Sequence, residues 1–471
     1  MIALRAIAAV AAILLLPGGS SLTTAGLLVT VGDVTPTSAV VWTRGVADGD
    51  VAVEYAPLGR VPDAPLGRVP DAPLGRVPEA PLGGERSRAH MAVRAADDLT
   101  GKRRIERLLP ATRYGYRLTA HGETVDGEFV TAPTRDAEAA VTFAWSGDLG
   151  GQGVCRHPDT GYPIFDVMAR FRPDFFLFLG DTIYADARCS RRGDVPGSDF
   201  VATTLDGFRR KHRYNRADPA VQRFFRTTSV YATWDDHEVR NDFAGPTEPL
   251  MAAGRRAFLD YWPITPPQEE PGRLYRRVRW GARLELFILD TRQYRSPNAS
   301  PDGPRKTMLG SAQRRWLIDA VRASTAQWKV VVSSVPMSVS KGGVRDSWSN
   351  ATIFGVPQEG VGFATERDAI LAAFRAAGIK NLVVLSGDFH YIEIARLAPW
   401  PGWTFHELIA GPLAARPGLP IPLDDGLNPR SLFSRGGTNN FGLVTVDATG
   451  LTARFIGEDG STLFGHTLTP N

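Results

Sequence analysis

Four short apolar segments of this chain each end at an aspartate, and this recurrence constrains the fold more than any other feature. They read VTFAWSGD (141–148), DFFLFLGD (174–181), VYATWDDHE (230–238) and LVVLSGDFH (382–390). A continuous apolar run of this length is typical of a strand buried on both faces of a sheet. Open α/β sheets place their chemistry at the carboxyl ends of such strands. The chain is therefore predicted to gather several acidic side chains at one edge of a sheet.

The sequence after residue 140 alternates strands with amphipathic helices. Helical spacing of apolar residues predicts helices over Gly161–Phe171, Ala312–Ser324 and Glu366–Gly378. Other runs are better suited to antiparallel pairing, namely Arg273–Arg279, Arg283–Leu289, Phe405–Ile409, Gly442–Val446 and Thr452–Ile456. Residues 414–440 are rich in Pro, Gly and Asn and are predicted to form a long surface loop. This part of the chain, residues 140–471, is expected to be one catalytic domain of the α/β class with mixed sheets.

Residues 26–136 have a different sequence pattern, in which short β-rich runs are separated by Gly, Asp, Pro and Ser. Such spacing predicts a β-sandwich, and the stretch LLPATRYGYRL (108–118) resembles the fibronectin type III signature. An octapeptide, APLGRVPD, repeats from Ala56 onward. Because Pro and Gly at this density cannot continue a strand or build a core, residues 56–84 are predicted to be a surface-loop insertion.

The N-terminus has the pattern of an export signal. Arg5 precedes an apolar run, Ala6–Leu16, and small or polar residues follow to Ala25. The run is short for a membrane span, so residues 1–25 are predicted to be a cleaved signal peptide, with an uncleaved anchor as the alternative. No later segment reaches transmembrane length, and the mature protein is expected to be secreted or periplasmic. The net charge of +4 over 471 residues does not indicate a nucleic-acid partner.

The two cysteines, Cys155 and Cys189, each follow one of the first two Asp-ended strands by a few residues. If those strands are neighbours, both cysteines lie at the same end of the sheet, and an oxidising compartment would favour a disulfide between them. Two free thiols, or a thiolate bound to metal, are the alternatives.

The side chains that the strand ends would bring together form a plausible metal-binding set. The candidates are Asp148, Asp181, Tyr184, Asp236, His237, Asp388 and His390. Several carboxylates in one pocket repel one another, and buried charges of one sign imply a metal. Carboxylate, phenolate and imidazole donors suit Fe, Mn, Zn or Ca. Two metals that share a bridging carboxylate fit this number of ligands, and such pairs serve the hydrolysis of phosphate esters.

At this level of detail the chain resembles the PhoD-type alkaline phosphatase and phosphodiesterase family, within the calcineurin-like metallophosphoesterases. The motifs that carry the resemblance are GDTIYAD (180–186), WDDHEV (234–239), LDTRQYR (289–295) and SGDFH (386–390). The resemblance covers most of residues 140–447. It implies a four-layer α+β sandwich, in which two mixed β-sheets are flanked by helices, preceded by the fibronectin-like domain.

The resemblance also implies roles for the candidate residues. Asp181 would bridge two metals, Tyr184 and His390 would bind an Fe³⁺-like ion, and Asp236 and Asp388 would bind the second metal. His237 would act as general acid or stabilise the transition state. A metal-bound hydroxide is expected to attack phosphorus, while Arg188 or Arg292 stabilises the equatorial oxygens. A structural ion pair between Asp290 and Arg292 is the alternative for Arg292.

Two departures from the family pattern bear on the metals. Asp148 stands where typical members carry a cysteine ligand, and Ser333–Pro336 replaces a segment that carries a histidine in the wider superfamily. An oxygen-rich second site is therefore expected, such as Ca²⁺ beside Fe³⁺, with Mn²⁺ or Zn²⁺ as alternatives. Small phosphate monoesters or diesters are the expected substrates. The competing hypothesis is an exported adhesion or binding protein with an inactive domain, and the sequence leaves the oligomeric state open.

Overall fold

The structure of the protein is a computed structural model that describes residues 26–60, 86–189, 194–340, 346–350, 352–353, 356–357 and 362–471. The predicted signal peptide and most of the octapeptide insertion, residues 61–84, lie outside the described residues. The first seven strands are β1 (Leu28–Gly32), β2 (Ser38–Arg44), β3 (Gly49–Arg60), β4 (Ser87–Val93), β5 (Thr100–Glu106), β6 (Thr112–Ala120) and β7 (Glu123–Val130).

Strands and helices then alternate, as the sequence predicts. The next elements are β8 (Val141–Ser146), α1 (Ile164–Arg170), β9 (Phe175–Leu179), α2 (Leu205–Arg216), α3 (Pro219–Phe225), β10 (Ser229–Thr233), α4 (Met251–Tyr261), β11 (Arg276–Trp280), β12 (Leu284–Ile288), α5 (Gly310–Arg322) and β13 (Trp328–Val332). The last are β14 (Thr352–Ile353), β15 (Val356–Pro357), α6 (Ala364–Ala376), β16 (Leu382–Ser386), β17 (Ile392–Trp400), β18 (Trp403–Ile409), β19 (Pro429–Arg435), β20 (Asn440–Val446), β21 (Leu451–Gly457) and β22 (Thr462–Leu468). Helices α2, α3 and α4 were not among the predicted elements.

Two large mixed sheets dominate the fold. The first has nine strands in the order β22-β21-β20-β8-β9-β10-β1-β2-β5, and the second has seven in the order β11-β12-β13-β16-β18-β17-β19. In the first sheet β8, β9 and β10 run parallel. In the second sheet β12, β13, β16 and β18 run parallel, with antiparallel strands on either side. The four strands with acidic ends, β8, β9, β10 and β16, are among these parallel strands.

The two sheets pack face to face, and helices cover their outer faces. Strand β9 shows how the sequence specifies this, since all five of its residues are buried. Its Phe175 and Leu177 contribute to the core between the sheets, whereas Phe176 and Phe178 pack against α1, α3 and α4. Helices α5 and α6 cover the second sheet through a separate apolar cluster. The order of layers is therefore helix, sheet, sheet, helix.

Residues 26–136 are joined to the nine-stranded sheet through β1. Their seven strands divide into β1, β2 and β5, which belong to the nine-stranded sheet, and a four-stranded sheet in the order β4-β3-β6-β7. Strand β1 pairs in parallel with β10, Gly32 opposite Val230. All five residues of β1 are buried, and Val29 and Val31 share an apolar cluster with Val51, Val53 and Leu118 of the four-stranded sheet. The resemblance to fibronectin type III domains stays a prediction.

Two predicted loops contain regular structure. The first residues of the octapeptide insertion, Ala56–Arg60, extend β3 and pair with β6, and a register shift between Pro57 and Gly59 accommodates the proline. The predicted surface loop 414–440 contains β19, which pairs with β17 at the edge of the second sheet. Both predictions were wrong there because an available partner strand outweighs the weak β-propensity of Pro and Gly.

None of the helices in the described part of the chain is long and apolar enough to cross a membrane.

Candidate metal centre

The acidic ends of β8, β9, β10 and β16 meet at one edge of the two packed sheets. The backbone turns sharply after three of these strands: φ is +65° at Asp148, +48° at Asp181, +64° at Asp388 and +59° at His390. Left-handed backbone is uncommon outside glycine, and it tends to cluster at functional sites. These turns direct short polar side chains toward one another at the point where the strands stop.

A first cluster joins Asp148, Asp181 and His390, whose ligand atoms all lie within 4.8 Å of one another. His390 Nε2 is 3.4 Å from Asp148 Oδ1 and 3.2 Å from the Tyr184 hydroxyl. His390 Nδ1 lies 2.7 Å from the carbonyl oxygen of Arg416, to which it donates when Nε2 is free to bind a metal. Asp148, Asp181, Tyr184 and His390 therefore lie close together in the fold.

A second cluster joins Asp181, Asp236 and His237 within the same distance. His237 Nε2 is 4.0 Å from Asp181 Oδ2, and the His237 backbone N–H donates to Asp181 Oδ1 at 3.1 Å. Asp181 is thus common to both clusters.

Asp388 is half-buried and lies close enough for its charge to raise the pKa of both His237 and His390. It does not belong to the compact clusters found among the described residues. Its assignment as a ligand of the second metal stays a prediction.

Burial and the repulsion between neighbouring carboxylates make ionisation of the acidic side chains at the centre unfavourable. Burial, together with Asp236, raises the pKa of Asp181 well above its usual range. Burial and Asp181 likewise raise the pKa of the Tyr184 phenol, so its phenolate would need a strong cation. Burial lowers the pKa of His237, but Asp236 and Asp186 outweigh it and raise the value to about 9. In all three groups the pKa reflects burial first and the neighbouring carboxylates second.

The residues present fit a metal. Asp148 is 1% exposed, and its Oδ2 is buried without a hydrogen-bond partner in the part of the chain that the structure describes. A Cβ added at Gly411 would lie 2.8 Å from that oxygen, so glycine keeps the space beside it open. A buried acceptor that faces open space beside a histidine and a second carboxylate is a ligand set for a hard or borderline cation.

Arg292 lies behind the centre rather than facing substrate. Its side chain is fully buried, and its Nε and Nη2 donate to the two oxygens of Asp235 at 2.7 and 3.0 Å. Its Nη1 is 2.9 Å from Asp346 Oδ2, and Ser334 Oγ donates to Asp235 at 2.6 Å. The predicted contact with substrate is therefore wrong for Arg292.

The alternative ion pair of Arg292 with Asp290 is also absent from the described contacts. Asp290 instead accepts from the Trp234 indole N–H at 2.8 Å and from the Arg292 backbone. A third acidic group, Asp236, Asp242 and Asp346, lies beside this network. Arg292 and Arg295 both pair with Asp346 and so compensate its charge.

Arg188 and the two cysteines lie on the loops around the centre. The Arg188 side chain is 64% exposed and 3.9 Å from Asp199, so it remains accessible to a ligand. Cys155 and Cys189 are joined in a disulfide, with their Cα atoms 5.7 Å apart. The bond connects the loop after β8 with the loop after β9.

Several residues without an assigned role in the sequence prove to be close to the centre. Asp186 Oδ1 is 2.8 Å from His237 Nδ1. Glu238 is fully buried and accepts from the backbone N–H groups of Asp181, Thr182 and Asp235 at 3.2, 2.7 and 2.9 Å. Asp186 and Glu238 lie inside the GDTIYAD and WDDHEV motifs, so the motifs contained the signal. Asp346 lies outside every recognised motif, and the sequence offers no signal for it.

Comparison with solved structures supports the fold. A structure of PhoD matches with a TM-score of 0.73 at 20% identity, over 94% of this chain and 88% of that one. A purple acid phosphatase from yellow lupin (Lupinus luteus) seeds matches with a TM-score of 0.63 at 12% identity, over 94% of this chain and 74% of that one. The chain therefore has a metallophosphatase-like fold.

Sequence comparison agrees. Alkaline phosphatase D of Bacillus subtilis (strain 168) is 28% identical over 320 residues, which are 60% of this chain and 52% of that protein. The chain thus spans about half the length of this curated relative. The model of the PhoD-like phosphatase family matches residues 143–436, the part that contains every strand end described above. This chain belongs to the PhoD-like phosphatase family.

Proposed function

We propose that this protein hydrolyses phosphoric esters with a pair of cations that share Asp181 as a ligand. The observation that carries the proposal is the position of Asp181, which belongs both to the cluster with Asp148 and His390 and to the cluster with Asp236 and His237. Bound cations would supply Lewis-acid stabilisation of the phosphoryl oxygens and lower the pKa of a water molecule. Membership of the family supports this reaction class.

The residues around the two ligand clusters keep the clusters apart and fix the orientation of their side chains. Glu238 fixes the backbone of both Asp181 and Asp235 through hydrogen bonds at 3.2 and 2.9 Å. The His390 ring is oriented through its Nδ1 by the Arg416 carbonyl at 2.7 Å. Such outer contacts fix the ring orientation and tautomer of a ligating histidine. The ligand geometry is therefore prepared before a cation binds.

The proposed role of His237 is to act on the leaving oxygen. Asp186 holds its Nδ1 at 2.8 Å, which leaves Nε2 directed toward the shared carboxylate, 4.0 Å from Asp181 Oδ2. A substrate oxygen bound between the two clusters would lie next to this nitrogen. His237 would then donate a proton to the departing alcohol, or stabilise the charge that develops on it.

The donor set favours Fe³⁺ with Ca²⁺, with Mn²⁺ or Zn²⁺ as alternatives. Tyr184 lies beside His390, and a phenolate whose pKa is raised by burial and by carboxylates requires a trivalent or similarly strong cation. On the other side, Ser333–Pro336 stands where the wider superfamily carries a histidine, so the proposed ligands of the second metal, Asp181, Asp236 and Asp388, are oxygen donors. Oxygen-rich sites suit Ca²⁺.

The proposed substrates are small phosphate monoesters or diesters, and the proposed location is outside the cytoplasm. The curated relative is an alkaline phosphatase, and Arg188 on the exposed rim could bind a phosphoryl oxygen. The apolar run Ala6–Leu16 supports export, in the medium or the periplasm.

The decisive test pairs an activity assay with metal analysis on one sample. The purified protein, reconstituted with Fe, Ca, Mn or Zn, is assayed with bis-p-nitrophenyl phosphate and p-nitrophenyl phosphate. We expect hydrolysis with close to two bound cations, and loss of both in Asp181→Asn. The ratio of the two rates decides between diester and monoester. A protein that binds no metal and hydrolyses neither ester after reconstitution would contradict the proposal and favour a binding role.

A further inference from the structure

The Tyr184 ring packs against two groups on different loops. One face stacks on the His237 imidazole, with ring centroids 4.1 Å apart and planes at 28°. The ring also meets the backbone of Gly151, where an added Cβ would lie 2.1 Å from Tyr184 Cγ. The hydroxyl at the end of the ring lies 3.2 Å from His390 Nε2. Both neighbours therefore restrict the positions that the ring can take beside the metal cluster.

The loops that carry Gly151 and Tyr184 are cross-linked. Gly151 lies between β8 and Cys155, and Tyr184 lies between β9 and Cys189. The Cys155–Cys189 disulfide ties these loops at their far ends. At their near ends the Leu149 N–H donates to Asp181 O at 2.8 Å. The disulfide and this hydrogen bond therefore close a frame of two loop segments, which contains Gly151 and Tyr184.

A short hairpin within the frame presents Gly151 to the ring. Gly151 and Val154 pair as an isolated antiparallel bridge, and the φ of Gly151 is +117°. This backbone conformation is open to glycine and strained for other residues. The side of the hairpin that touches Tyr184 is thus specified by glycine, and the residue that follows the hairpin, Cys155, anchors it.

We infer that Gly151 and the Cys155–Cys189 disulfide are positioning elements that hold the Tyr184 phenol at the metal centre. The inference rests on the proposed role of Tyr184 as a ligand. The disulfide acts through Gly151, and Gly151 acts through the ring. Without the cross-link the hairpin is free to move away, and the Tyr184 loop loses one of the two surfaces that orient it.

The first test uses the double variant Cys155→Ala/Cys189→Ala, which leaves no free thiol to bind metal, together with Gly151→Ala. In metal-free protein we expect faster hydrogen–deuterium exchange over residues 182–189 in both variants. In reconstituted protein we expect bound iron to be lost about ten times faster in both variants, the scale typical of lost outer-shell support. The visible phenolate-to-iron(III) band should weaken in parallel, and kcat should fall while KM changes little.

Gly127→Ala is a matched control. Its added Cβ would lie 2.2 Å from the Tyr116 hydroxyl in the four-stranded sheet, so it makes a comparable clash with a tyrosine away from the centre. We expect it to lower stability without a change in iron retention or in the visible band. If the double variant and Gly151→Ala match this control in every readout, the disulfide is a stabilising cross-link only and the inference is wrong.

The exchange experiment separates this inference from the proposed function. If wild-type protein binds no metal, the proposed function fails, but faster exchange over 182–189 in the variants would still show that these elements hold the Tyr184 loop. If wild-type protein binds two cations and hydrolyses esters while exchange and iron retention are unaltered in both variants, the proposed function stands and the positioning role is excluded.

Discussion

The carboxylate of Asp186 lies 2.8 Å from His237 Nδ1, and its second oxygen accepts the backbone N–H of Asn241 at 2.8 Å. One side chain thus ties the loop after β9 to the turn after β10. The same contact sets the orientation of the only His237 nitrogen left to face the two ligand clusters.

This contact predicts the effect of Asp186→Asn. The amide preserves the size of the side chain but weakens the charge-assisted hydrogen bond and permits the wrong imidazole tautomer. We expect kcat to fall by about 10- to 100-fold with metal content unchanged. The loss should be larger for an alkyl phosphate ester than for a p-nitrophenyl ester, whose leaving group needs little protonation. Asp159→Asn, an exposed acid, is the control; equal losses for both kinds of ester would contradict the role.

Glu238→Gln is expected to destabilise the protein. The carboxylate accepts from three backbone N–H groups and from the Thr182 hydroxyl, all buried. A glutamine turns one acceptor into a donor that faces these donors, at a cost of about 1–3 kcal/mol in the free energy of unfolding. Urea denaturation of metal-free protein measures it, with Glu106→Gln on the exposed end of β5 as control. A loss no larger than that of the control would show that the buried contacts are dispensable.

Arg292→Met should be among the most destabilising substitutions in the chain. It leaves Asp235 buried without its guanidinium and leaves Asp346 with Arg295 alone, and breaking a buried pair of this kind costs about 3–5 kcal/mol. Adding Asp235→Asn to Arg292→Met should recover part of the loss, since it removes the charge that has lost its partner. A double-mutant cycle by urea denaturation checks this. Strictly additive losses would mean that the two side chains do not act together.

His212 predicts a specific pH dependence of stability. It is 1% exposed and stacks on Tyr261, with centroids 5.2 Å apart. Burial and the charge of Arg216 lower its pKa from 6.5 to about 3. Between these values the unfolded chain binds a proton that the folded chain does not, so stability falls as the pH falls, by about 1.4 kcal/mol per unit.

His212→Phe keeps the stacked ring and removes the titration. We therefore expect the variant to lose less stability than wild type between pH 6.5 and pH 4.5, with the two curves parallel above pH 7.5. Denaturation midpoints across this range give the comparison. Parallel curves throughout would show that the buried histidine does not control this part of the acid response.

Removal of the metal should destabilise the protein, because the carboxylates of the centre then repel one another without a compensating cation. Burial and neighbouring carboxylates raise the pKa of Asp181, so chelation is expected to lower the thermal midpoint, by an amount equivalent to about 3 kcal/mol when the cation had been present at 100 times its Kd. Asp181→Asn should be more stable than wild type in the metal-free state, yet gain little on adding cations. Asp136→Asn, at an exposed position, should behave like wild type. A metal-free Asp181→Asn protein less stable than wild type would contradict this account.

Much of the centre was already present in the sequence, because its ligands follow strands that are recognisable locally. The run Phe175–Leu179 is apolar at every position, which fixes it as a buried strand, and the polar residues that follow must then lie at its carboxyl end. The same argument applies to Val141–Ser146 and Leu382–Ser386. Strand type and ligand order are short-range properties, so Asp148, Asp181 and His390 were predicted together.

Tertiary structure alone decided how side chains from distant segments pair. Arg292 and Asp290 are two residues apart, yet the guanidinium pairs with Asp235 and Asp346, because the fold brings three loops behind the centre. Likewise β1 belongs to the predicted N-terminal domain, and only the fold shows that it pairs with β10, Gly32 opposite Val230. A local sequence pattern identifies a strand or an acidic side chain. The partner of that strand or side chain depends on packing between segments far apart in the chain, which no local pattern encodes.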